Sequence, residues 1–150
     1  MPHEFVASEF IRSTPEKVFD FVADYRNVRP VLEGVTRWEP TGKRSKGKGA
    51  TFRIEMSALG IPMGDTLKLD AWERPRVIGW HSSGRAMEQT GRWRFTPRDS
   101  GVETELRIVY DPPVGLVGEA VARAVDGLVR RRLQDALQRM RNLIESGDSA

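Results

Sequence analysis

The chain has no cysteine. A disulfide framework, a thiolate metal site and a cysteine nucleophile are therefore excluded. Histidine is nearly as scarce, His3 and His81 being the two in 150 residues, too few for a histidine-rich metal centre. Neither a metal nor a cofactor is expected. No apolar run approaches the ~20 residues that span a bilayer. The start Met1-Pro2-His3-Glu4-Phe5 lacks the basic region and apolar stretch of a secretory signal. The expectation is a cytoplasmic protein without a membrane span. Charge of one sign is also missing: 24 Lys and Arg stand against 21 Asp and Glu, a net charge of +3. Nucleic acid is not an expected partner on that balance.

Catalytic motifs are missing as well. No G-x-S-x-G, H-E-x-x-H or D-x-D cluster occurs. Gly42-Lys43-Arg44-Ser45-Lys46-Gly47-Lys48-Gly49 nearly matches a phosphate-binding loop. Gly49 stands where the magnesium-binding hydroxyl belongs, however, and a strand-like alternation follows in place of a helix, so it reads as a hairpin turn. Glu103, Glu105 and Arg107 share the polar side of a strand and read as a charge-balanced wet face.

What the sequence does contain is one long periodic segment and many short alternating ones. From Val114 to Glu145, apolar residues at Val117, Ala120, Val121, Ala124, Leu128, Val129, Leu133, Ala136, Leu137, Met140 and Ile144 recur at steps of three and four, predicting a helix about 48 Å long. Its first half is thin, with Ala120, Ala124 and Gly127; its second half is bulky. Arg123, Asp126, Arg130, Arg131, Gln134, Gln138 and Arg141 fall on the opposite face, and Arg132 lies close to the apolar stripe, where its stem can snorkel. At the other end, His3–Arg12 reads as a strand. Ser13-Thr14-Pro15-Glu16 supplies a helix start with a capping-box pattern, and a short helical piece over Asn27–Gly34 follows. Six strands then alternate: Val35–Pro40, Ala50–Ser57, Asp65–Glu73, Val77–Ser83, Met87–Thr96 and Val102–Tyr110. Strict alternation leaves one side of the sheet wet and turns the other toward the long helix, an α+β arrangement. The whole is one domain, residues 1–146, with a frayed tail over 147–150.

This order of elements, with Ser13-Thr14-Pro15-Glu16-Lys17-Val18-Phe19 after the first strand and Gly91-Arg92-Trp93-Arg94-Phe95 before Gly101-Val102-Glu103-Thr104, resembles the START-like (SRPBCC) superfamily. More narrowly it resembles the bacterial polyketide cyclase/dehydrase and lipid-transport group. The resemblance implies a helix-grip fold, a curved seven-stranded antiparallel sheet around the long helix with a hydrophobic cavity between them. Carried over by position, Phe52, Ile54, Met56, Leu67, Leu69, Trp93, Phe95, Leu106, Ile108 and Tyr110 line the cavity from the sheet. Leu116, Ala120, Ala124 and Leu128 line it from the helix. Trp80 is assigned inward and His81 outward. Met56, Leu69, Trp80, Trp93, Tyr110, Leu116, Ala120 and Ala124 are the expected ligand contacts, because Met adapts to irregular shapes while Trp and Tyr add a polar tip to an apolar body. The apolar stretch Ser57–Gly64 reads as a loop whose Leu59, Ile61 and Met63 gate the cavity.

Three functions follow from these readings. The first is binding or transport of a hydrophobic small molecule such as a lipid, isoprenoid or polyketide-like compound, by a monomer or homodimer. The second is a metal-free cyclase or dehydratase in the same cavity, with Tyr110, Thr104, Glu55 and His81 as catalytic candidates. The third is a macromolecular interaction through the basic helix face of Arg130, Arg131, Arg132, Arg139 and Arg141.

Overall fold

The computed structural model describes residues 3–58, 60–82, 89–110 and 119–148, with side chains given for all of these except Ala58, Ile61, Met63, Glu119, Ala120, Val121, Ala122 and Asp148. Strand β1 spans His3–Ile11 and helix α1 Pro15–Ala23. The cap of α1 is Thr14, whose side chain accepts from the Lys17 backbone N–H at 3.2 Å. Glu16 therefore sits one place too early for a capping box and acts in the first turn through the helix dipole. Helix α2 is the single turn Tyr25–Val28, continued as a tighter turn over Arg29–Val31, so the expected helical piece begins two residues early and stops before Gly34.

The sheet comprises β2 Val35–Pro40, β3 Thr51–Ala58, β4 Ile61–Glu73, β5 Val77–Ser82, β6 Gln89–Arg98 and β7 Gly101–Tyr110, and α3 spans Glu119–Asp148. Its strand order is β1-β7-β6-β5-β4-β3-β2, every pairing antiparallel. Register shifts between Val35 and Arg37 and between Leu69 and Ala71 are the local irregularities that bend such a sheet. The result is a helix-grip fold. α3 is held from both margins of the sheet: Gln134 donates to the Ser8 carbonyl on β1 at 3.3 Å, and Arg132 to the Ser57 carbonyl on β3 at 2.7 Å.

Two expectations are corrected here. Ser57–Gly64 is not a loop. Ser57 pairs with Pro62, Ala58 with Ile61 and Glu55 with Gly64, so β4 starts four residues earlier than expected. Backbone pairing outweighs the poor strand propensity of proline and glycine, and Gly60, at φ 77°, supplies the left-handed turn residue. The second concerns α3, which runs through Gly147 to Asp148, beyond the expected end at Glu145 and into the expected tail. The helix start expected at Val114 and the side of Leu116 lie outside the described residues.

The core lies between α1, α3 and the concave side of the sheet. Phe19 of α1 meets Trp72 edge-on at 5.3 Å and Phe95 at 5.7 Å. Leu137 and Met140 of α3 are 0% and 1% exposed, so the second half of α3 closes this end of the fold by apolar packing. Among the described residues, no helix is long and apolar enough to cross a membrane.

Candidate functional site

Where α3 passes the other end of the sheet, packing is incomplete. A cavity of about 130 Å³ remains there, well above the ~10–15 Å³ that one water requires. Among the described residues its walls are Val35 and Trp38 of β2, Ile54 and Met56 of β3, Leu67 of β4, Trp80 of β5, and Gln89 and Trp93 of β6. β7 adds Leu106, Ile108 and Tyr110, β1 adds Phe5, and Val28, Leu32 and Glu33 close one side. From α3 come Val125, Val129, Arg132 and Leu133. A smaller cavity of about 40 Å³ adjoins it, sharing Trp38, Leu67, Trp80 and Trp93 and adding Phe52, Leu69, Trp72 and Ile78.

Trp80 borders both spaces, and its placement depends on a glycine. Trp80 pairs with Gly91 across β5 and β6, and the indole lies against the Gly91 backbone so closely that a Cβ there would sit 2.0 Å from Cζ2 and 2.2 Å from Cε2. The ring can adopt this position only over a residue without a side chain. The Nε1 atoms of Trp80 and Trp38 are both buried without a hydrogen-bond partner among the described residues.

At the β1–β7 margin, the Tyr110 hydroxyl donates to Asp126 Oδ1, and His3 Nδ1 lies 2.5 Å from Asp126 Oδ2. Phe5 stacks on Tyr110 at 5.2 Å. Burial, and secondarily the hydrogen bond and charge of Asp126, push the Tyr110 phenol well above its ordinary pKa, so it stays protonated. Asp126 is a site residue that periodicity alone misses: the apolar pattern puts it on the polar face, but it stands at the edge of the buried stripe beside Val125.

Arg132 reaches between α3 and the β2–β3 margin. Its Nη1 donates to the Ser57 carbonyl, and its guanidinium passes over Gly34, where a Cβ would fall 2.2 Å from Nη1. Gly34 also has φ 86°, so two constraints favour glycine there. Arg132 Nε is buried without a partner among the described residues.

Of the expected contacts, Met56, Trp80, Trp93 and Tyr110 surround the larger cavity, while Leu69 faces the smaller one. Ala124 is exposed and is a correction. At about 100° per residue it stands roughly 180° around the helix from Leu133, and chaining steps of three and four from the bulky half drifts onto the wrong face. Val125 occupies the wall instead. Leu116 and Leu59 lie outside the described residues, as do the side chains of Ala120, Ile61 and Met63.

Among the catalytic candidates, Tyr110 alone lines the larger cavity. Thr104 is 0% exposed within the core, its Oγ1 without a partner. Glu55 lies on the outer face, 3.6 Å from both Arg37 and Arg53, because alternation along β3 opposes it to Ile54 and Met56. His81 likewise turns outward, 2.9 Å from Asp70 and with its side chain 43% exposed. The basic helix face is also largely spoken for. Arg130 lies over the Phe5 ring at 5.0 Å, Arg139 donates to the Val31 carbonyl at 3.2 Å, Arg141 pairs with Glu9 and Arg132 holds Ser57.

Comparison with known proteins agrees with this architecture. TTHA0849 from Thermus thermophilus superposes with a TM-score of 0.82 at 19% identity, over 97% of this chain and 99% of that one. A START superfamily protein from Mycobacterium smegmatis gives 0.73 at 12% identity, over 94% and 99%. The di-domain ARO/CYC StfQ from the steffimycin biosynthetic pathway gives 0.76 at 11% identity; all of this chain matches 53% of StfQ, about half its length. At these identities the likeness is one of fold. No curated protein matches the sequence. Residues 2–145 match the family described as polyketide cyclase / dehydrase and lipid transport, and with that match over nearly its whole length the chain belongs to this family.

Proposed function

We propose that the protein binds a hydrophobic small molecule, such as a lipid, an isoprenoid or a polyketide-like compound, in the cavity between the sheet and α3. The observation that carries this reading is an apolar cavity of about 130 Å³ in a fold whose other end is packed to closure. Native cores leave few voids larger than a water, and an apolar space of this size rewards an apolar occupant. A ligand that loses about 200 Å² of apolar surface gains roughly 5 kcal/mol before ordering costs. The family's description, which names both polyketide cyclase / dehydrase and lipid transport, supports the same class of occupant.

Titration with the neutral probe N-phenyl-1-naphthylamine tests it. The expected result is saturable one-to-one binding, with energy transfer from the tryptophans that border the cavity. Absence of saturable binding, together with a native mass spectrum of the purified protein showing no small-molecule adduct, removes the reading.

A second reading, a cyclase or dehydratase-type enzyme, is favoured by the Tyr110–Asp126–His3 chain. In an enolisation, the Tyr110 hydroxyl, kept protonated by burial, would turn to donate to the substrate carbonyl oxygen while the Asp126 carboxylate accepts the proton leaving the neighbouring carbon. Tyr110→Phe keeps the ring stacked on Phe5 and removes this route. If the chain turns over a poly-β-ketone, the rate is expected to fall about 10²- to 10⁴-fold; an unchanged rate takes Tyr110 out of the chemistry.

A further inference from the structure

Arg132 is an expensive residue for its position. It stands on α3 between Val129 and Leu133, all three bordering the cavity, where a leucine would pack without desolvating a charge. The guanidinium carries five N–H groups in a planar fork. Among the described residues its one hydrogen bond is from Nη1 to the Ser57 carbonyl. Among the described residues no carboxylate lies within ion-pairing distance of it, although Arg26, Arg37, Arg53, Arg74, Arg98, Arg107 and Arg141 all have one. A structural tie to Ser57 uses only Nη1. The Nε–Nη2 edge, the side of the fork that matches two carboxylate oxygens, is left over, and Nε is buried without a partner.

A second observation points the same way. Among the described residues, three that border the cavity have a buried polar side-chain atom with no partner: Trp38 Nε1, Trp80 Nε1 and Arg132 Nε. All three are donors and none can accept. Glu33, the acidic residue of the wall, is exposed at its rim, and the Tyr110 hydroxyl is committed to Asp126. Gln89 Oε1 and the Tyr110 oxygen are neutral acceptors of this wall, but neither is hydrogen-bonded to these three donors, and a pure hydrocarbon would leave them unsatisfied at the usual cost of buried polar groups.

We infer that the ligand is an apolar body bearing one carboxylate, held by the Nε–Nη2 edge of Arg132 after a small shift of that flexible side chain. A monoanion is selected over a phosphate dianion because a single cation in an apolar wall balances one charge and not two. This inference rests on the hydrophobic-ligand reading above and names the polar end of its ligand.

The test compares 2-naphthoate with its neutral methyl ester by calorimetry at neutral pH, on the native chain, Arg132→Met and Arg132→Lys, each checked for fold by circular dichroism. The native chain is expected to bind the acid at least about tenfold more tightly than the ester. Arg132→Met is expected to bring that ratio near one, and Arg132→Lys, a point charge without the planar fork, to fall between. An acid preference that survives intact in Arg132→Met overturns the inference. So does a native chain that binds the ester as tightly as the acid, which leaves the hydrophobic-ligand reading standing. If neither probe binds, the inference falls, and the N-phenyl-1-naphthylamine titration decides the hydrophobic-ligand reading separately. Should Arg132→Met not fold, the native ratio and Arg132→Lys decide: no native preference, or full preference in the lysine variant, counts against the bidentate edge.

Discussion

Gly91→Ala is expected to abolish binding of N-phenyl-1-naphthylamine and to lower stability by about 1–3 kcal/mol, the usual cost of forcing an extra methyl into a packed site. The backbone at Gly91 is not in the left-handed region, so the effect is steric. The added Cβ would lie 2.0 Å from Trp80 Cζ2 and 2.6 Å from Cη2, distances at which the ring must leave. A flexible side chain would simply turn aside, but Trp80 is 8% exposed and its rigid indole has two rotatable bonds. The space it can enter is the cavity that it already borders. The near-ultraviolet circular dichroism should change along with affinity, because the same ring reports both. The double variant Gly91→Ala/Trp80→Leu is expected to recover much of the stability lost in the single one, since the clash has one partner. Binding retained at native affinity with an unchanged tryptophan signal would show that the ring yields without entering the cavity.

Legibility in the sequence divided along physical lines. Period-two alternation placed Met56, Trp93 and Tyr110 on the concave side, because a strand with one wet face has no other way to satisfy its side chains. The same rule gave Glu55 its outward position, and the catalytic suggestion for it ignored that rule. The hairpin joining β3 to β4 was missed because Gly60, Pro62 and Gly64 carry turn and breaker signals, whereas the pairing of Ser57 with Pro62 is a partner-strand effect absent from local composition. On α3 the stripe was legible from Val129 to Ile144, where bulky residues fix the phase. It was lost toward Ala124, where small residues do not, and extending the steps of three and four let the phase slip. The contacts that give the cavity its character, Tyr110 with Asp126 and Trp80 against Gly91, join different elements and have no periodic trace. A sequence rule finds the face; the partner on that face comes from the fold.

Leu137→Ala is expected to cost about 2–5 kcal/mol, whereas Leu143→Ala, six residues further along α3, should change stability by less than about 0.5 kcal/mol. The two leucines share chemistry and helix and differ in burial: Leu137 is 0% exposed and Leu143 54%. Leu137 stands one turn beyond Leu133, the last helix residue bordering the larger cavity, so its truncation opens a void in the closed end of the fold and not in the ligand space. Urea denaturation followed by far-ultraviolet circular dichroism measures both variants, and the slope of the transition should stay constant if the folded surface is unchanged. Probe affinity is expected to stay near native in Leu137→Ala wherever the protein remains folded. A loss below about 1 kcal/mol would mean that α3 is not anchored at this point, and a loss of binding equal to the loss of stability would mean that the two ends of α3 are not separate. The expected outcome, stability lost with affinity kept, follows from a helix whose phase turns Leu137 into packed core and Val125, Val129 and Arg132 toward a space left open.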